Sequence, residues 1–130
     1  MSKKTANRKP TESELAILGV VWDLKSATVR EVFDTLALKQ DIGYTTVLKL
    51  MQIMTDKGII ERDTSVRPQL YTASKPQKQM QKLLLRDLLD RAFSGSPGNL
   101  VMQALAMKKS SPEELREIRE LLDSLESEDN

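Results

Sequence analysis

At 130 residues and 39% hydrophobic content, the chain holds enough apolar material for one compact domain or two small ones. It contains no cysteine and no histidine, which excludes disulfides, thiolate chemistry, imidazole acid–base catalysis and ordinary zinc sites together. A net charge of +1 and a pI near 7.9 exclude a simple polycation, so electrostatics alone do not point to DNA. No glycine-rich phosphate loop or nucleophile elbow occurs, so no catalysis, cofactor or metal is expected. No apolar run approaches the roughly 20 residues of a membrane span, and Met1-Ser2-Lys3-Lys4-Thr5 has no apolar h-region, so a cytoplasmic location is expected.

Residues 1–10 carry Lys3, Lys4, Arg8 and Lys9 without an acid and read as a flexible basic arm. Thr11 and Glu14 then form a capping-box pattern ahead of Leu15, Leu18, Val21 and Trp22, predicting a helix from about Thr11 to Leu24. Trp22, the only tryptophan, is expected to anchor a core. A second box, Thr28 with Glu31, opens a helix over about Val29–Leu38 with Val32, Phe33 and Leu36 inward. Ser26-Ala27-Thr28 can form a very short strand before it.

Gln40-Asp41-Ile42-Gly43 is a short turn into the stretch Tyr44–Lys57. There Val47, Leu50, Met51 and Met54 recur at helical spacing on one face, while Thr45, Thr46, Lys49, Gln52 and Asp56 occupy the other. Hydroxyls, an amine and an amide in a row can hydrogen-bond base edges or phosphates, with Tyr44 at the helix start suited to a phosphate. Such a face is also common on helices that merely cover a core, and the element order is what favours reading. Helix, tight turn and helix is the helix-turn-helix pattern. After Gly58, a helix-ending residue, Ile59–Asp63 and Gln69–Ala73 read as two strands around the loop 64–68. That hairpin forms a wing whose Arg62 and Arg67 can reach phosphates or the minor groove.

Ser74 with Gln77 fits a further cap, opening a helix to about Phe93 with two apolar stripes, Met80, Leu84, Leu88 and Leu85, Leu89, Phe93. Ser94-Gly95-Ser96-Pro97-Gly98 breaks the chain, a short helix runs from Asn99 to Met107, and Ser111-Pro112 opens a last helix. Its Leu115, Ile118, Leu122 and Leu125 repeat at heptad-like 3-4-3 spacing. Up to Ser74 there are 11 Lys/Arg against 9 Asp/Glu, net +2; beyond it 9 against 10, net −1. The predicted architecture is mainly α with a small β-wing: a winged helix-turn-helix domain over 11–74, then a helical dimerisation domain over 75–130. Leu84, Leu88, Leu115, Ile118 and Leu122 are the expected dimer contacts. The competing reading folds these helices back on themselves as a monomeric subdomain, which so many leucines in so few residues disfavour.

Assembled, these residues resemble the penicillinase-repressor family of bacterial transcriptional regulators, the BlaI/MecI type, to which copper-responsive repressors also belong. The resemblance is carried by Pro10-Thr11-Glu12-Ser13-Glu14-Leu15-Ala16-Ile17-Leu18, Val21-Trp22, Thr28-Val29-Arg30-Glu31-Val32, the run Gly43–Leu50, Met54-Thr55-Asp56-Lys57-Gly58 and Arg62-Asp63. It implies a homodimeric repressor that sets two recognition helices on a palindromic operator in double-stranded DNA. In the β-lactam-responsive members a membrane-bound zinc protease and sensor triggers cleavage between an Asn and a Phe of the C-terminal domain; the corresponding pair here is Gln103-Ala104, a departure. The cysteine motif of the copper-sensing branch is absent. An alternative from another class is a protein–protein adaptor using the winged helix for docking, which the near-neutral charge allows. Salt dependence separates the two, because counterion release accompanies phosphate contact.

Overall fold

The computed structural model describes residues 9–128, so Lys3, Lys4 and Arg8 of the expected basic arm lie outside the described residues. The elements are helices α1 (Glu12–Leu24), α2 (Val29–Ala37) and α3 (Tyr44–Asp56), strands β1 (Ile60–Asp63) and β2 (Leu70–Ala73), and helices α4 (Gln77–Ala92), α5 (Pro97–Met107) and α6 (Pro112–Glu128). The architecture is mainly helical with one small antiparallel sheet, as the sequence predicts. Two compact units divide the chain, the first ending at Leu84 and the second beginning at Leu85.

In the first unit both predicted capping boxes close. Glu14 N donates to Thr11 Oγ1 at 3.2 Å while Thr11 N donates to Glu14 Oε1 at 3.0 Å; Thr28 and Glu31 repeat the arrangement at 3.1 and 2.9 Å. Each box satisfies two of the donors that a helix start leaves without an intrahelical partner. The three helices enclose one core of Ile17, Leu18, Val21, Val32, Leu36, Val47, Met51 and Met54, closed by Ile60 and Tyr71 from the sheet. β1 and β2 pair with Ile60 opposite Ala73 and Asp63 opposite Leu70. The expected short strand before α2 exists as a single bridge: Ala27 N donates to Tyr71 O at 3.0 Å and Tyr71 N to Ala27 O at 2.8 Å. That bridge ties the wing to the start of α2.

Met80, in the first half of α4, is buried, and Trp22 Nε1 donates to Lys75 O at 3.1 Å. The approach to α4 corrects one expectation. Ser74 does not cap the helix, because its N–H extends the sheet to Ile59 O at 3.0 Å and its hydroxyl is turned inward, buried and without a hydrogen-bond partner.

The second unit comprises the rest of α4, α5 and α6. Ser96 caps α5 through the Asn99 N–H at 3.3 Å, and a Ser111–Glu114 box opens α6 at 3.1 and 3.2 Å. Among the described residues from Leu85 onward no side chain is buried. Leu88, Leu122 and Leu125 are each about half exposed, at 46%, 52% and 49%.

Candidate nucleic-acid interface

Backbone logic at both ends fixes α3. Gly43 is its N-cap, extended at φ −92° and ψ 156°, with no side chain to satisfy the first N–H groups. At the other end Gly58 takes φ 78°; its N–H bonds Thr55 O at 3.1 Å and the Ile59 N–H reaches back to Met54 O at 2.9 Å. This is a Schellman closure, with Met54 and Ile59 both buried beneath it. Because the closure runs straight into β1, the position of α3 sets the position of the wing.

Val47, Met51 and Met54 are fully buried, and Leu50 packs partly against the same core. Burial of each large side chain stabilises the fold by roughly 1.5–3 kcal/mol, so this face of α3 is held to the core. Thr45, Thr46, Lys49, Gln52 and Asp56 are all exposed on the opposite face, as expected. Thr55 does not join them, since its hydroxyl donates to Met51 O at 2.7 Å within the helix.

A polar tether fixes the C-terminal end of α3. Lys57 Nζ lies 2.9 Å from Glu14 Oε2, and the Glu14 side chain is 3% exposed. Burial alone would raise this carboxyl's pKa. Hydrogen bonds from Thr11 and the Lys57 ammonium outweigh that effect and leave the pKa below its ordinary value. Glu14 therefore serves two ends at once, capping α1 with one oxygen and anchoring α3 with the other.

At the start of α3, Tyr44 is 41% exposed and meets Phe33 of α2 edge-on, with centroids 5.7 Å apart and planes at 73°. Arg30 lies over the same Phe33 ring at 5.6 Å, and its Nε pairs with Asp34 at 3.2 Å. Tyr44 and Arg67 line one open groove of about 260 Å³, together with Arg30, Thr28 and Gln69. Arg62, exposed on β1, is not among its lining residues. In the wing, Asp63 accepts from the Ser65 hydroxyl and from the Ser65 N–H at 2.9 Å, which draws its pKa below the ordinary value and holds the turn that presents Arg67.

Arg30 is the residue that sequence reasoning missed. It stood inside the Thr28–Glu31 capping motif, and only the approach of α3 and the wing gives it a place in the groove.

Of the expected dimer contacts, Leu88 and Leu122 are exposed while Leu84, Leu115 and Ile118 are half-buried. Gln103 and Ala104 are exposed on α5, where Gln103 Nε2 donates to Asn99 Oδ1 at 2.9 Å. Among the described residues no group of three or more carboxylates is placed to hold a metal ion, and no helix is long and apolar enough to cross a membrane.

A family model described as "Penicillinase repressor" matches residues 10–124, nearly the whole chain. Among curated proteins, the methicillin resistance regulatory protein MecI of Staphylococcus epidermidis is 18% identical over 112 residues, covering 86% of this chain and 91% of its own. The penicillinase repressor of Bacillus licheniformis is 21% identical over 113 residues, covering 87% and 88%. An uncharacterised 16.5 kDa protein of Latilactobacillus sakei is 22% identical over 112 residues, covering 86% and 77%.

Proposed function

The chain belongs to the penicillinase repressor family of transcriptional repressors, and from that premise we propose a homodimer that reads a palindromic operator through α3. The observation that carries this reading is the two-sidedness of α3. One face is locked at zero exposure by Val47, Met51 and Met54, and the other offers Lys49, Gln52, Thr45 and Thr46 to solvent. Lys49 can donate to guanine O6 and N7, Gln52 can pair with adenine, and the threonine methyls can meet thymine. Arg62 and Arg67 of the wing are assigned to phosphates or the minor groove. Residues 11–74 act as the reading module in this proposal.

Residues 75–130 supply the dimer. Helices that from Leu85 onward bury no described side chain within one chain, yet repeat leucines at heptad-like spacing, fit a surface completed by a second copy. Leu84, Leu88, Leu115, Ile118 and Leu122 are the proposed contacts. Release then follows from loss of pairing. A cut at Gln103-Ala104, made by a protease under a membrane-bound sensor, would separate α6 from α4 and leave an intact reading module with only half-site affinity. No catalytic activity is assigned to the chain.

Footprinting the purified protein on the DNA upstream of its own gene tests the whole reading. Protection of two half-sites about 34 Å apart is expected, with affinity falling steeply as salt rises. Salt-insensitive docking without a footprint would favour the adaptor instead.

A further inference from the structure

The groove at the junction of α2, α3 and the wing carries a charge pattern that the face of α3 does not. Its ionisable lining consists of two guanidinium groups, Arg30 and Arg67, and two phenols, Tyr44 and Tyr71, with Thr28 and Gln69 adding neutral polar groups. No carboxylate lines it. Val29 and Leu48 contribute apolar wall. Such a lining is complementary to a single anion approached from two sides.

Arg30 is already shaped for that task. Phe33 supports its guanidinium at 5.6 Å, and Asp34 pairs with its Nε at 3.2 Å. A guanidinium has five N–H donors in a planar fork, so the terminal nitrogens suit two oxygens of a phosphate. The Arg30–Asp34 pair is exposed on both sides, 71% and 58%, and such pairs are weak enough for a phosphate to compete with the carboxylate.

We infer that this groove takes a backbone phosphate of the bound DNA, gripped by Arg30 of α2 and Arg67 of the wing with the Tyr44 hydroxyl as a third donor. The inference rests on the reading of α3 as the DNA-reading helix and adds Arg30 as a phosphate-binding residue. One phosphate bridging α2 and the wing fixes the angle at which α3 enters the major groove, since both elements are tied through the Ala27–Tyr71 bridge.

The test uses the full chain and its R30A, R30K, R67A, R30A/R67A, D34N and K49A variants. Binding is followed by fluorescence anisotropy, across a range of salt, to the duplex upstream of its own gene and to a random-sequence duplex. R30A is expected to weaken both duplexes by the same factor and to reduce the slope of log K against log salt by about 1 per bound protomer. R30K should keep most of the slope, D34N should tighten both duplexes, and R30A/R67A should lose less than the product of the single losses because the arginines share one phosphate. An R30A slope equal to that of the unmodified chain, with K49A still weakened on its own operator, overturns the groove and leaves the reading of α3 standing. Salt-insensitive binding by the unmodified chain overturns both. Should R30A fail to fold, the slopes of R67A and R30K and the direction of the D34N change decide the question in the same way.

Discussion

Replacing Lys57 with Met removes the ammonium that neutralises Glu14 while keeping the length of the aliphatic stem. A fully exposed ion pair contributes about 0.2–1 kcal/mol, and breaking a fully buried one costs about 3–5 kcal/mol. The present pair lies between these limits, with the Glu14 side chain 3% exposed and that of Lys57 24%. Thr11 still donates to Oε1 after the change, so the carboxylate is not wholly stranded. A loss of about 2 kcal/mol is expected at neutral pH, read from urea unfolding midpoints at unchanged slope. The sign with pH follows from Glu14, whose pKa is depressed in the fold. Its pairing stabilises above the unfolded carboxyl value of about 4.5 and is lost as pH falls through the lower folded value, so the deficit of the variant should shrink below that point. Adding Glu14→Gln to Lys57→Met should recover about 1 kcal/mol, since the amide oxygen can still accept from Thr11 N–H and no charge is left buried. A Lys57→Met variant within about 0.5 kcal/mol of the parent, or a double variant whose losses simply add, would refute the tether.

Lys49→Ala and Gln52→Ala should each weaken operator binding by about 1–3 kcal/mol without moving the unfolding midpoint, because both side chains are exposed; equal affinity in both variants would reject this face. A fragment ending at Leu84 retains Met80 and the Trp22–Lys75 hydrogen bond, so it should fold, sediment as a monomer and bind DNA weakly; a dimeric fragment would move the pairing surface into the first unit. Lys25 closes α1 at φ 71° and ψ −44°, a conformation costly for any residue with a Cβ, so Lys25→Gly should raise stability by about 1 kcal/mol in thermal or urea unfolding.

What could be read in advance was whatever depends on neighbours in sequence. The boxes at Thr11–Glu14 and Thr28–Glu31 and the stop at Gly58 involve residues within a few positions of one another, and the structure forms all three. The two faces of α3 follow from helical periodicity in the same way. The bond from Lys57 to Glu14 spans 43 residues and that from Trp22 to Lys75 spans 53, and no local pattern encodes either. Glu14 looked complete as a capping residue because one of its oxygens explained its presence. Ser74 was misread for the opposite reason. Its spacing to Gln77 suits a cap, but its backbone is drawn into the sheet by Ile59, so the hydroxyl cannot reach the helix start. Arg30 was obscured by lying within a motif that accounts for Thr28 and Glu31 without it.

The contrast between the two units bears on how such a repressor can be switched. The first unit encloses a core around Ile17, Val32, Val47 and Met51, and its fold therefore needs no second chain. From Leu85 onward no described side chain is buried, and α6, 17 residues long, leaves Leu121, Leu122 and Leu125 about half exposed. Most of a helix's stability in a protein comes from packing of its amphipathic face, which this unit leaves largely unpacked within one chain. Burial of several half-exposed leucines against a second copy contributes on the order of 1 kcal/mol each, comparable to the whole margin by which a small domain is folded. In the proposed dimer, pairing and ordering of this unit are then one equilibrium, so a break in α5 need not touch the reading surface to be felt there. It lowers pairing, pairing sets the effective concentration of the second α3 at its half-site, and occupancy falls while each winged helix stays folded.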